Sequence, residues 1–432
     1  MGGDAVISLG TGHRFGGAVR AASILVGLTG LVCTTSFATA QGLQFGPTGA
    51  GPGQSSTYDR SFIQQWQANP PKGFPTLSKA NIAPTKAAIK RYKAIVKSGG
   101  FTAVPNVEME PGISDPAVLA LRDRLRASGD LREETSYPNH FGSAVETAVK
   151  RFQASNGLAP TGTVDKRTLA ALNVPANVRL KQLKINLNRL SGLSRTVRKR
   201  YVLVNIPAAQ IEVVERGRII SRHSGVVGKI ERQTPELRST ITELNFNPTW
   251  RLPPTVIKED LIPTGRRMEK QGKNVLVKYG IDAYDGSGRK LAPEKIKWNS
   301  SQPYSLSYRQ KPGKDNPLGF LKINFPNSQS VYMHDTPRDS VFGRNFRAAS
   351  SGCVRVQNIE QLANWLLKGQ TTWKDYHIEK LKESGTRKNV RLRRPVRLFF
   401  AYVTAWATPD GVVQFRRDIY LKDGVGDVAA AY

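Results

Sequence analysis

Two segments carry side chains able to do covalent chemistry. Tyr332-Met333-His334-Asp335-Thr336-Pro337 is followed, after a loop, by Ser350-Ser351-Gly352-Cys353-Val354-Arg355-Val356. A cysteine attacks as its thiolate, and a free thiol is mostly protonated at neutral pH. A nearby imidazole can take that proton and hold the thiolate as half of an ion pair. His334 stands 19 residues before Cys353, a separation that a loop closes. Gly352 lets the backbone turn tightly ahead of the cysteine and bring N–H groups toward a bound carbonyl. Two such donors stabilise a tetrahedral oxyanion. Arg355 either supports the loop or faces a substrate carboxylate. The pattern is that of an acyl-transfer site, with Cys353 as candidate nucleophile and His334 as candidate general base and acid.

Three further residues are candidate substrate contacts. Tyr332 shares a strand face with His334 and either donates to substrate or packs. Trp250 either walls the cleft or belongs to the core. Ser351 directly precedes the Gly-Cys pair. His13, His140, His223 and His377 have no motif around them and are expected on the surface or in the core. No metal-ligand spacing and no phosphate-binding glycine loop is visible, so no cofactor is expected.

The elements that must position these residues are mainly strands. Tyr201–Ile206, Gln210–Val214 and Ile219–Val227 are rich in Val and Ile, with Glu215-Arg216-Gly217-Arg218 as the turn of a hairpin. Ser239–Phe246 and Gln329–His334 read as further strands. Val396–Ala407 and Val412–Tyr420 read as a hairpin across Pro409-Asp410-Gly411. These define a mainly β catalytic domain over 198–424, followed by a tail, 425–432. Residues 254–312, rich in Lys, Pro and Gly, interrupt it as an inserted subdomain. The insertion carries Lys258, Arg266, Arg267, Lys270, Lys273 and Lys278, a solvated basic face or a contact for acidic peptides.

Upstream, residues 115–174 read as a compact helical unit. Leu119, Leu121, Leu125 and Leu131 mark a first helix and its exit. Ser143-Ala144-Val145-Glu146 has the order of a capping box, and Ala144, Val145, Ala148, Val149 and Phe152 form one apolar stripe. Asp165 is placed to cap a short helix carrying Leu169 and Leu172. Residues 175–197 read as a linker helix. The stretch 41–114 combines a Gly-, Pro- and Ser-rich tether with a helix over Pro84–Ser98.

Sixty-four Lys and Arg against 33 Asp and Glu leave a formal charge of +31, which suits acidic partners: nucleic acid, a membrane surface or an anionic polymer. Arg14 and Arg20, an apolar run from Ala21 to about Thr35, and Ala38-Thr39-Ala40 follow the order of a secretory signal cleaved near Ala40. Export argues against a nucleic-acid partner. Cleavage removes Cys33 and leaves Cys353 as the only cysteine of the two, so no internal disulfide is expected.

The motif Ser350-x-Gly352-Cys353-Val354-Arg355 after His334 resembles the signature of the L,D-transpeptidases that cross-link peptidoglycan. His334-Asp335-Thr336-Pro337, Asn247-Pro248-Thr249-Trp250 and Thr404-Ala405-Trp406 are similar to the large periplasmic branch of that family. Phe152-Gln153-x-x-Asn156-Gly157-Leu158-x-x-Thr161-Gly162 resembles a small helical peptidoglycan-binding domain. The resemblance implies an α+β chain: a mainly β L,D-transpeptidase catalytic domain with a capping insertion, preceded by that helical domain. It further implies a periplasmic enzyme acting on peptidoglycan stem peptides. Cys353 would attack the carbonyl of the third residue of a donor stem, expel the terminal D-Ala, and pass the acyl group to a diaminopimelate amine. The alternatives are water as acceptor (an L,D-carboxypeptidase), a lysine of an outer-membrane protein, or a non-catalytic wall-binding protein. Many members have His where this chain has Ser351, which leaves His334 as the only motif histidine able to act as base. The acceptor and the oligomeric state are not read from the sequence.

Overall fold

The computed structural model describes residues 72–132, 137–369, 373 and 376–432. The expected signal segment and tether, up to residue 57, lie outside the described residues.

The helical unit comprises Ala117–Ser128, Ser143–Ser155 and Lys166–Leu172. Val118, Leu121, Leu125, Val145, Val149, Phe152, Leu169 and Leu172 share one core, as the 3.6-residue spacing requires. Leu119 points outward instead. Asp165 caps the last helix, its Oδ1 accepting from Thr168 N at 2.8 Å. The capping box does not form: Ser143 is already inside its helix behind Gly142, and Glu146 pairs with Lys150 at 2.7 Å. Gln153 locks the Thr161-Gly162 turn, donating to Thr161 Oγ1 at 2.9 Å and accepting from Gly162 N at 2.9 Å.

This unit is larger than 115–174. Val104 and Met109 join its core, and Met109 bridges Val164 as a strand would. The final residues are also part of it rather than a free tail. Tyr432 is 1 % exposed in that core, and its hydroxyl accepts from Arg179 Nη1 at 2.9 Å. Periodicity within 115–174 could not show this, because the added contacts are made by chain far away in sequence. Tyr432→Ala should cost about 3–5 kcal/mol and lower the thermal midpoint, as calorimetry of the full chain would record; an unchanged midpoint would place Tyr432 outside the core.

The helix Ile82–Lys97 begins two residues before Pro84. Pro84 is tolerated because first-turn N–H groups lack intrahelical partners. This segment is docked: Ala88 and Tyr92 pack with Leu183, Ala407 and Phe415, and Thr76 bonds Glu212 through N (2.9 Å) and Oγ1 (2.8 Å). The helix Ala176–Ser194 is more than a linker, since Leu180 and Leu183 share that core.

The catalytic domain is built on strands β1 (Arg200–Asn205), β2 (Gln210–Glu215), β3 (Arg218–Gly228) and β4 (Leu237–Phe246). β5 (Trp250–Arg251), β6 (Ile281–Tyr284), β7 (Lys290–Leu291) and β8 (Ser307–Gln310) belong to the insertion. β9 (Leu321–Asn324), β10 (Met333–His334), β11 (Ala348–Ser350) and β12 (Val354–Val356) follow, then β13 (Lys388–Ala401), β14 (Ala405–Ala407) and β15 (Val413–Phe415). The main sheet runs β11-β3-β12-β10-β9-β4-β13-β1-β2, and β2 also pairs with β3, so the ladder closes on itself. The β2–β3 turn has positive φ at both Arg216 and Gly217, the conformation a two-residue hairpin needs. Val202, Ile211, Leu244, Ile323, Met333, Val354 and Leu398 fill one core.

The last strands differ from expectation. The long strand is β13, bent where the register shifts between Arg391 and Val396 around Pro395, and the hairpin β14–β15 is shorter than 396–420. The insertion folds as its own small sheet, β5-β8-β6-β7, with helices Ile262–Glu269 and Val275–Tyr279. Trp298 stacks on Tyr308 there, with ring centroids 6.4 Å apart.

Candidate active site

β10 and β12 lie side by side and parallel, pairing Met333 with Val354 and His334 with Arg355; Val354 N donates to Tyr332 O at 3.0 Å, extending the ladder. Alternation then sorts the side chains. Met333 and Val354 turn into the core, while Tyr332, His334, Cys353 and Arg355 share the opposite face. β9 adds Lys322, opposite His334, to the same face. The sheet therefore gathers one thiol, one imidazole, one phenol and two cations.

The turn that delivers Cys353 is tied down on every side. Gly352 adopts φ 111°, a region that strains any side-chain-bearing residue. Its N–H donates to Ser350 Oγ at 3.1 Å, and Ser350 Oγ donates to Cys353 O at 2.5 Å. Thr234 Oγ1 donates to Gly352 O at 2.8 Å. Gly352 N–H is thus engaged within the loop and is not free to donate to a bound carbonyl.

Cys353 is half-buried. Burial raises its thiol above the ordinary value, against the pull of the Tyr332 backbone N–H and hydroxyl and of the Lys322 and Arg355 cations. Tyr332 is thus the polar neighbour of the sulfur. Trp250 is buried but not merely packed: its Nε1–H donates to Tyr332 Oη at 3.0 Å. That leaves the Tyr332 O–H to point at the sulfur, and Lys322 Nζ sits 4.3 Å from the Tyr332 ring centroid.

His334 is buried, and burial, with Arg355 next and Lys322 also contributing, pushes its imidazole down to about 3. Its ring is 5.7 Å from that of Tyr332. Nδ1 lies 2.6 Å from the Asp335 carbonyl. With Nδ1 donating there, Nε2 keeps its lone pair and can accept a proton, and the Pro317 carbonyl favours the protonated ring. Burial acts on both groups in the same sense, toward the neutral thiol and the neutral imidazole. The groups acting on the sulfur are Tyr332, Lys322 and Arg355 rather than His334.

Arg355 approaches the thiol, and its Nε is buried with no hydrogen-bond partner among the described residues. Asp335 accepts from Phe320 N at 2.8 Å through Oδ2. That carboxylate sits where a Cβ on Gly319 would fall 2.4 Å from it. His223 is a core histidine: its nitrogens face Ser221 Oγ at 2.8 Å and Gln357 O at 2.9 Å.

Sequence reasoning missed two site residues. Lys322 sits in a short strand whose Leu-Lys-Ile-Asn alternation was the available signal. Arg232 had none. It donates to Ser351 Oγ at 2.8 Å, pairs with Glu259, and reaches Asp260 at 3.5 Å. It thereby ties the residue before the Gly-Cys pair to the first turns of the insertion. Arg232→Ala should lower turnover on the order of tenfold by loosening the loop, while Arg232→Lys retains part of it. Equal rates in all three proteins would show that the tether does not position Cys353.

Residues 199–374 match the family model of the L,D-transpeptidase catalytic domain. Residues 114–172 match that described as "Putative peptidoglycan binding domain". The chain therefore carries an L,D-transpeptidase catalytic domain, preceded by a helical domain of the peptidoglycan-binding type. A Haemophilus influenzae protein named "Putative L,D-transpeptidase" is 34 % identical over 223 residues, which is 51 % of this chain and 44 % of that protein. The match thus spans less than half of that relative's length. A solved L,D-transpeptidase from Xylanimonas cellulosilytica is 16 % identical, covering 69 % of this chain and 99 % of its own, with a TM-score of 0.23. One from Stackebrandtia nassauensis is 14 % identical, covering 68 % and 94 %, with a TM-score of 0.26.

Proposed function

We propose that this protein cross-links peptidoglycan in the periplasm, joining the third residues of neighbouring stem peptides through a thioester on Cys353. The observation that carries the reading is the shared sheet face of Tyr332, His334, Cys353 and Arg355, set by the parallel β10–β12 register. Sγ bonds to the carbonyl carbon of the donor's third residue while His334 Nε2 takes the thiol proton. The tetrahedral intermediate collapses, the bond to D-Ala breaks, and the leaving amine takes the proton from His334. A side-chain amine of an acceptor stem then attacks the thioester, gives its proton to His334, and releases Cys353 as the thiol.

Electrostatics suits this order. A neutral thiol and neutral imidazole cost least in a buried site, so charge develops only as the acyl group arrives, where the Tyr332 hydroxyl, Lys322 and Arg355 are already placed. Arg355, with its buried unpartnered Nε, is assigned to a stem carboxylate. The insertion, tied to Ser351 through Arg232, supports transfer over hydrolysis by limiting water at the thioester.

The reading is tested by incubating the protein with disaccharide-tetrapeptides and resolving the products by mass. Dimers cross-linked between third residues, with release of D-Ala, are expected. Tripeptide monomers alone would replace the transpeptidase by a carboxypeptidase.

A further inference from the structure

A cleft of about 540 Å³ opens between the helical domain and the catalytic domain, on a part of the surface that the thiol site does not use. Its walls come from residues 129–132 and 151–159 of the helical domain and from residues 208–210, 222–224 and 345–347 of the catalytic domain. The β15 hairpin completes it. Among the described residues, five arginines line it, Arg132, Arg151, Arg222, Arg347 and Arg416, against one lining carboxylate, Asp130.

That carboxylate is one against five. Ser128 Oγ donates to Asp130 Oδ2 at 2.6 Å, and burial raises the Asp130 pKa against that bond and the pull of Arg124, Arg91 and Arg151. Arg222 pairs with buried Glu212 at 2.9 Å. Arg347 is held by neutral acceptors, Gly225 O at 3.1 Å and Ala208 O at 3.3 Å. Arg416 is held likewise, by Ser155 O at 2.9 Å and Gln414 Oε1 at 3.2 Å. Burial lowers both guanidinium groups to about 10, and for Arg416 the neighbouring Arg222 adds to the drop. Cations fixed by carbonyls in a concave site keep their charge and repel one another, a cost that a bound anion removes. A merely solvated basic face would leave Arg222, Arg347 and Arg416 in water and unfixed; Arg132 and Arg151 stand exposed at the rim.

We propose that this cleft is a second substrate site, which binds the stem-peptide carboxylates of a peptidoglycan strand held by the helical domain. The inference rests on the reading of the protein as a wall enzyme. Its chemistry is that of several carboxylates spaced along one polymer, matched by guanidinium groups contributed from both domains. The helical domain and the catalytic sheet then grip one strand together, and free carboxylates are distinguished from amidated ones before any acyl transfer.

The test uses the full chain with Cys353→Ser, so that nothing turns over, and titrates it with a soluble muropeptide carrying free stem carboxylates and with its carboxamide counterpart. The free-acid form should bind about tenfold more tightly. Arg132 and Arg151 are both exposed, so changing them should not disturb the core. In Arg132→Gln/Arg151→Gln the preference should shrink several-fold, while Arg132→Lys/Arg151→Lys keeps most of it. Equal binding of acid and amide, or a preference unchanged by the Gln pair, would overturn the proposal. Turnover of a tetrapeptide lacking glycan, measured separately, reports on the catalytic reading alone. Either reading can fail while the other stands.

Discussion

Cys353→Ala should abolish turnover, with a fall of at least about 10³-fold, and leave the melting transition near that of the parent. The thiol is half-buried at the edge of the main core, so its loss opens little space. The loop that carries it is held by backbone and hydroxyl contacts from Ser350, Gly352 and Thr234 rather than by the sulfur. Turnover assays with calorimetry on the same preparations check both halves. Activity within tenfold of the parent would remove Cys353 from the chemistry.

His334→Ala should cost about 10²–10⁴-fold in turnover, because both transfers lose their proton acceptor and donor. The accompanying pH dependence is the sharper reading of this site. A thiolate–imidazolium pair would make alkylation of Cys353 level off near neutral pH. With the imidazole lowered to about 3 and the thiol raised above its usual value, the thiolate fraction instead grows about tenfold per pH unit up to and beyond pH 9. Alkylation rates of the free protein should follow that rising limb, and His334→Ala should leave the limb in place while losing turnover. A plateau between about pH 5 and 8 that disappears in the variant would restore the ion pair as the resting state.

The cysteine loop and its partner strand were legible because their signal is local. Gly352 before Cys353, and Tyr332 and His334 at a spacing of two, specify a turn and a shared face without reference to anything distant. The strands β1 to β3 were legible through their Val and Ile content. What the sequence hid is what depends on remote chain. The first half of β13 reads as a basic run, since Arg391, Arg393 and Arg394 alternate with a few inward residues such as Leu392. The pairing of Lys322 with His334 needs the sheet order, and the Arg232 tether needs the fold of the insertion. The orientation of the imidazole was also hidden, because the Asp335 carbonyl that holds it is a backbone group every sequence possesses.

The central claim is that the acyl group passes through Cys353. It is tested most directly by quenching the protein within one turnover of a stem tetrapeptide and mapping the adduct by mass spectrometry. The account predicts a mass gain equal to the tripeptide acyl group, located on Cys353, formed together with free D-Ala and released when an acceptor amine is added. Product formation at the parent rate with no adduct on Cys353, or an adduct on another residue that persists in Cys353→Ala, would contradict it.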